Sequence, residues 1–279
     1  MTTDATRFDS RAGDRVRELF TQGSVVVITG AGLSTSSGIP AYRDREGNWK
    51  GAQPIKHHDF LHLESARRRY WARSFFGWPT VAAAVPGRGH HALARLERAG
   101  RIDLVITQNV DGLHRKAGSA GVLELHGGLD QVICMSCRVR RPRASVQEWL
   151  AAANPDLAGQ PAPAAPDGDA QVAAELYAGF RVPDCPACGG MLKPDVVFFG
   201  DSVPKERVAS ALAAVAAAAG LVVVGSSLMV YSGFRFVEFV RREGKPVMAI
   251  NLGATRADHL LDAKVEQDCD DFLDGLGPG

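Results

Sequence analysis

Four short apolar runs limit what this chain can fold into: SVVVITG (24–30), DLVITQN (103–109), LVVVGSS (221–227) and PVMAIN (246–251). They are rich in β-branched residues and stop at glycine, serine or asparagine. Short apolar runs without polar alternation suit strands covered on both faces, as in parallel sheets. Helical patterns stand between them: RAGDRVRELFTQ before the first run, HHALARLERAG before the second, PKERVASALAAVAAAAG before the third and FRFVEFVRREG before the fourth. This alternation predicts a doubly wound α/β sheet with its ligand at the carboxyl ends of the strands. It gathers Gly30, Gln108, Asn109, Gly225, Ser226, Ser227 and Asn251 along one rim.

Two stretches interrupt the alternation. Residues 44–95 hold no strand pattern but carry the aromatic and basic run RRRYWARSFFGWP, and residues 130–191 are bounded by cysteine pairs. The expected organisation is a Rossmann-like domain from 1–43, 96–129 and 192–279, a helical module at 44–95 and a smaller module at 130–191. The segment AAANPDLAGQPAPAAPDGDAQ (151–171) reads as an extended loop. A net charge near +1 gives no basic excess for direct nucleic-acid or membrane-surface binding. No apolar run approaches the roughly 20 residues that span a bilayer. The start, MTTDATRFDSRAGDR, lacks an apolar segment, so a cytoplasmic location is expected.

Four of the five cysteines form C-x-x-C pairs, Cys134/Cys137 and Cys185/Cys188. Each such turn presents two sulfurs to one tetrahedral ion, so the pairs predict a structural zinc site with no position left for water. The glycines after Cys188 let the backbone approach the sulfurs. Unrelated reduced thiols and a nucleic-acid-gripping zinc ribbon are the alternatives, the latter opposed by the neutral charge.

The stretch GAGLSTSSGIPAYRD (30–44) turns directly out of the first strand. A glycine turn into a helix lets backbone N–H groups meet a pyrophosphate. A dehydrogenase fingerprint would require a third glycine where Thr35 stands, and an acid about 20 residues on; neither is present. Pro40 breaks any helix, and Tyr42, Arg43 and Asp44 belong to a loop able to close over a ligand. In TQNVDGLH (107–114), Gln108, Asn109 and Asp111 either bind a carboxamide or ribose, or cap the following helix. His126, in LELHG, is either structural or the base that takes a hydroxyl proton.

Together these stretches resemble the sirtuin family of NAD-dependent protein deacylases. The match covers GAGLSTSSGIPAYRD, TQNVDGLH, ELHGG, both C-x-x-C pairs, KPDVVFFGD (193–201), GSSLMVYSG (225–233) and INLG (250–253), in that order from residue 14 to about 272. RYWARSFFGWP and LKPDVVFFGD look most like class II members.

The resemblance implies that NAD is consumed as co-substrate and that a zinc lobe and a helical lobe flank the NAD domain. Gly30, Ala31, Gly32 and Ser34 would line the phosphates, with Gly38, Tyr42 and Arg43 in the covering loop. Ile39, Gln108, Asn109 and Asp111 would surround the nicotinamide and its ribose. Gly225, Ser226, Ser227, Asn251, Leu252, Gly253 and Cys269 would hold the adenosine half. Val197, Phe198, Phe199 and Gly200 would wall an acyl-lysine tunnel, with the peptide laid as a strand between 199–201 and 228–231. The acyl oxygen would attack the ribose carbon as nicotinamide leaves, with His126 as general base beside Asn109 and Asp111. Tyr70 and Arg73 share a helix face, if helical, and resemble the pair that reads acidic acyl chains; simple packing is the other reading. Protein or peptide acyl-lysine is the implied partner. Protein ADP-ribosylation and a catalytically silent NAD-sensing scaffold are the rival functions.

Overall fold

A computed structural model describes residues 10–50, 54–157 and 178–277. The chain enters through α1 (Ser10–Gln22) and β1 (Val25–Thr29), then a 3-10 helix at Ala31–Ser37. Next come α2 (His57–His62), α3 (Glu64–Ala83), α4 (Arg88–Arg98), β2 (Ile102–Thr107), α5 (Leu113–Lys116) and β3 (Val122–Glu124). A second region holds β4 (Gly127–Cys134), β5 (Arg140–Pro142), α6 (Arg143–Ala153) and β6 (Leu192–Val196). The chain closes with α7 (Lys205–Ala217), β7 (Leu221–Val224), α8 (Tyr231–Arg242), β8 (Val247–Ile250), β9 (Ala263–Val265) and α9 (Cys269–Asp274).

The main sheet has six strands in the order β3-β2-β1-β7-β8-β9, and every pair is parallel. Its strands are buried on both sides, which explains the unbroken apolar runs. Val25, Val27, Val105, Val222, Val224 and Ile250 face a core shared with α1, α4 and α9. Val26, Ile28, Ile106, Leu221, Val223 and Ala249 face the opposite core, under α7 and α8. Each fully buried Val or Ile contributes roughly 1.5–3 kcal/mol. The outer strands β3 and β9 have three residues each, too few to leave a period in the sequence. Strand order reverses between β1 and β7, and a doubly wound sheet opens its ligand crevice at that reversal.

The smaller lobe holds an antiparallel sheet in the order β5-β4-β6. Strands on both sides of the expected 130–191 limits take part, since β4 begins at Gly127 and β6 runs Leu192–Val196. The stretches expected as separate helical and cysteine modules share one core. Phe60, Trp71 and Phe75 pack there with Val132, Leu150, Phe180 and Leu192. Arg143, at the start of α6, is buried against the faces of Trp71 and Trp78 and donates to Ser74 O at 3.2 Å. α4, partly inside the expected 44–95 module, packs on the main sheet instead. The segment expected as an extended loop is partly helical: 151–153 end α6 and Pro155–Leu157 form a 3-10 turn. Its remainder, 158–171, lies outside the described residues.

Candidate active site

A cleft of about 1320 Å³ lies where the carboxyl rim of the main sheet meets the smaller lobe. Gly30, Ala31, Gly32, Gln108, Asn109, Gly225, Ser226, Ser227, Asn251, Leu252 and Cys269 line its sheet side. Tyr42, Arg43, Tyr70, Arg73, His126, Val197, Phe198, Phe199 and Gly200 line the rest. Ser34, Gly38, Ile39, Asp111 and Gly253 do not line it; they stand behind or beside residues that do.

The glycines after β1 serve a purpose the sequence did not disclose. Gly30 N–H donates to Val224 O at 3.1 Å and Gly32 N–H to Gly225 O at 2.8 Å, so of this triplet only the Ala31 N–H remains uncommitted. A Cβ at Gly32 would lie 2.8 Å from Gly225 O, and one at Gly30 would lie 2.7 Å from Ser226 Cβ. The two loops at the strand-order reversal therefore touch through backbone, and glycine is needed for that approach. Thr35 is exposed on a 3-10 helix and packs on no strand, so no third glycine is required there. Gly38 ends that helix at φ 81°.

Ser34, Asn109 and Asp111 form one network. Ser34 donates from Oγ to Asp111 Oδ2 at 2.8 Å. Asn109 Nδ2 donates to Gly30 O and to Ser34 Oγ, both at 3.0 Å. Both amide hydrogens are then used, leaving Oδ1 as the free polar atom of Asn109, an acceptor only. Asp111 also accepts the Leu113 N–H at 3.0 Å, so its carboxylate both positions Ser34 and opens α5. The capping reading of this cluster is expressed at Asp111, while Gln108 and Asn109 line the cleft. Gln108 turns Nε2 onto Ser226 Oγ at 2.7 Å, joining the rims of β2 and β7. Two histidines back the network: His90 Nε2 lies 3.5 Å from Ser34 Oγ, and His114 Nε2 lies 2.9 Å from Thr29 Oγ1.

His126 lies between β3 and β4, where its carbonyl accepts the Val197 N–H at 2.8 Å. Its Nδ1 lies 3.0 Å from Gln108 O. A carbonyl can only accept, so Nδ1 carries the proton and Nε2 holds the lone pair. That lone pair accepts from Ser232 Oγ at 2.8 Å. Burial, offset in part by the Gln108 carbonyl and reinforced by the Arg207 charge, holds its pKa below the usual histidine range. Neutral at physiological pH, it has a basic atom facing the cleft. Ser232 is a candidate site residue that sequence reasoning missed: 106 residues separate it from His126, and only its place in GSSLMVYSG hinted at it.

Residues 42–50 form a small hairpin over the cleft, with Lys50 N–H donating to Tyr42 O at 2.9 Å and Arg43 lying 4.0 Å from the Trp49 ring. Ala254 N–H reaches Arg45 O at 3.0 Å, and Gly253 (φ 82°) permits this because any Cβ there would meet that oxygen. Trp49 stacks edge-on against Phe199 at 5.4 Å, so the hairpin bridges the sheet rim and the Val197–Gly200 wall. Asn251 Nδ2 donates to Leu252 O and Gly253 O, which leaves Oδ1 as its remaining acceptor. Cys269 donates to Ile250 O, and burial pushes its thiol up to about 12, so it stays a neutral thiol. Tyr70 packs among Phe60, Trp71 and Phe198 with ring centroids 5.2–5.5 Å away, while Arg73 lines the cleft from the same helix.

In the smaller lobe the sulfurs of Cys134, Cys137, Cys185 and Cys188 all lie within 4.8 Å of one another. The Cys134–Cys188 and Cys137–Cys185 separations are 3.5 and 3.9 Å. A tetrahedral zinc with sulfurs at about 2.3 Å needs sulfur–sulfur edges of about 3.8 Å, so this donor set fits that ion. N–H groups from Cys137 and Ser136 aim at the Cys134 sulfur, as they would at a metal-bound thiolate. Gly190 is required because a Cβ would lie 2.9 Å from Cys134 Sγ.

A family model described as "Sir2 family" matches residues 30–232. The chain is 53% identical over 268 residues to a Bordetella bronchiseptica protein named NAD-dependent protein deacetylase, covering 95% of this chain and 98% of that one. A Xanthomonas campestris protein of the same name is 56% identical over 243 residues, covering 87% and 83%. Among solved structures, one described as the structural basis for the mechanism and regulation of Sir2 enzymes aligns with TM-score 0.75 and 29% identity, covering 96% of each chain. A Sir2–p53 peptide–NAD+ structure aligns at TM-score 0.73 and 28% identity, covering 93% and 94%.

Proposed function

The chain belongs to the Sir2 family, and from that premise we propose how its cleft residues carry out NAD-dependent protein deacetylation. His126 is the general base, and the observation that carries this is the lone pair on Nε2, held by the Gln108 carbonyl on the opposite nitrogen. NAD, when bound, supplies the ribose that receives the acetyl group, with nicotinamide as leaving group. Gly225, Ser226 and the Asn251 Oδ1 hold the adenosine side along the rim, and the Ala31 N–H faces the phosphates. Asn109 accepts a hydrogen bond through Oδ1 from a ribose hydroxyl or water, oriented by Ser34 and Asp111. The Ser232 hydroxyl keeps Nε2 aimed and gives way to the hydroxyl whose proton His126 takes. The hairpin 42–50 covers the cleft and excludes water that would compete with the acetyl oxygen. Val197–Gly200 wall the lysine channel, and the peptide lies as a strand between 199–201 and 228–231.

Acetyl-lysine is the substrate this reading favours, since Tyr70 is packed among aromatic rings and the relatives are named deacetylases. The test is a panel of acyl-lysine peptides incubated with NAD and read by mass. Free lysine with acyl-ADP-ribose is expected, with acetyl turned over faster than succinyl. NAD-dependent labelling of protein without deacylation would instead favour ADP-ribosyl transfer. His126→Ala is expected to abolish turnover at unchanged Tm, and retained turnover would remove the base assignment.

A further inference from the structure

Part of the cleft has no role in the chemistry above. It reaches α7, the residues just before it and the start of α8, where Val203, Val208 and Leu212 give an apolar floor and Lys205, Tyr231 and Arg235 also line it. Both charged groups that these helices contribute to the lining are cations. Among the described residues neither has a carboxylate within ion-pair distance, and Arg235 Nε is buried without a hydrogen-bond partner. A third cation, Arg256, lies 5.6 Å from the Tyr231 ring, with Arg235 at 5.4 Å; Tyr231 is 51% exposed. Among the described residues Arg256 likewise has no acid partner; its guanidinium donates to Met229 O and lies 4.6 Å from the Phe234 ring.

Elsewhere many of this chain's arginines are matched with acids: Arg88 with Asp271, Arg95 with Asp274, Arg140 with Asp195 and Arg241 with Asp262. With 32 basic and 31 acidic residues overall, the three unmatched cations are a local concentration rather than a global excess. Three of the acids that line the same cleft have contacts of their own. Asp201 lies 3.2 Å from His57 Nδ1, Asp44 accepts from its own turn, and Asp268 caps α9. Glu46 stands near the tip of the covering hairpin.

We propose that Lys205 and Arg235 select acetyl-lysine peptides that carry an aspartate or glutamate close to the modified lysine, an inference that rests on the deacetylase reading. Lys205 follows Asp201 by four residues and Arg235 follows Tyr231 by four, so each segment flanking the peptide runs on into one of these cations. Strand-like backbone pairing tolerates many sequences, which leaves side-chain selectivity to the pockets and charges around it. A cation that lines the cleft without an acid partner gains a charge-assisted hydrogen bond from a carboxylate and only loses solvation to an apolar side chain. The exposed Tyr231 ring, braced by two arginines, offers an apolar platform beside them.

The test is a set of acetyl-lysine peptides in which aspartate, alanine or lysine occupies each flanking position in turn. At low salt, kcat/KM at the best position is expected to be about tenfold or more higher with aspartate than with lysine, falling as salt is raised. In Lys205→Gln/Arg235→Gln the aspartate-to-lysine ratio falls toward one, and in Arg235→Glu it inverts. Equal turnover of all three peptides by the wild-type chain overturns the inference while leaving deacetylation intact. A defect confined to succinyl-lysine in a neutral peptide also overturns it, by assigning the cations to the acyl chain. Failure of every peptide would fall on the deacetylase reading itself.

Discussion

His126 is basic at Nε2 because its other nitrogen is held by the Gln108 carbonyl, and its pKa lies below the ordinary value of 6.5. The acid limb of a pH profile of kcat/KM is therefore expected below pH 6.5. Removing the Arg207 charge stabilises the imidazolium, so Arg207→Gln should move that limb to higher pH. A limb that stays in place would show that Arg207 does not act on this histidine. Behind the site, burial, with the charge of His90 as the lesser cause, pushes His114 down to about 3. The sign follows from linkage: below pH 6.5 the unfolded chain takes up a proton that the folded chain refuses. Stability is thus full above that pH and is lost progressively as pH falls toward 3, by about 1.4 kcal/mol per unit at most. Tm measured across this range should fall less steeply in His114→Gln than in the wild-type chain.

Glycines at element junctions carry a second set of expectations. Gly127 opens β4 at φ 82°, and a Cβ there would sit 2.1 Å from Asp195 O on β6. Gly127→Ala must therefore separate β4 from β6 and displace the adjoining His126. A loss of about 2–4 kcal/mol in urea unfolding, with a fall in kcat, is expected. Gly32→Ala pushes apart the loops after β1 and β7; weaker NAD binding by calorimetry is expected, with a smaller loss of stability. At this scale the sequence was legible where periodicity was long. The four central strands were read from their apolar runs, whereas β3 and β9, three residues each, exist because β2 and β8 offer free edges. The missing third glycine at Thr35 correctly argued against a dehydrogenase fingerprint, and its physical counterpart is the 3-10 helix, not an α-helix packed on the strand, that follows β1.

For the whole molecule, the cysteine cluster and the proposed acyl wall belong to one core, since Cys134, Cys185, Trp71 and Phe198 share it. Metal removal should reach the channel through that core. With a chelator, or in Cys137→Ser/Cys188→Ser, peptide turnover is expected to fall sharply while the far-ultraviolet signature of the parallel sheet persists; full activity without metal would contradict this. Sequence alone determined the sheet class, the rim on which Gln108, Asn109, Gly225 and Asn251 converge, and the four cysteines whose sulfurs cluster as a metal-binding set would. Those signals are local: runs, turns and spacings of a few residues fix them. The tertiary structure alone decided that Gly30 and Gly32 serve loop contact, that the Asn109 side chain has only an acceptor left, that Ser232 reaches His126 Nε2, and that Lys205 and Arg235 line one cleft with no acid partner among the described residues. Those properties depend on atoms distant along the chain coming within hydrogen-bond or ion-pair reach, and a sequence carries no distance between residues that only the fold makes neighbours.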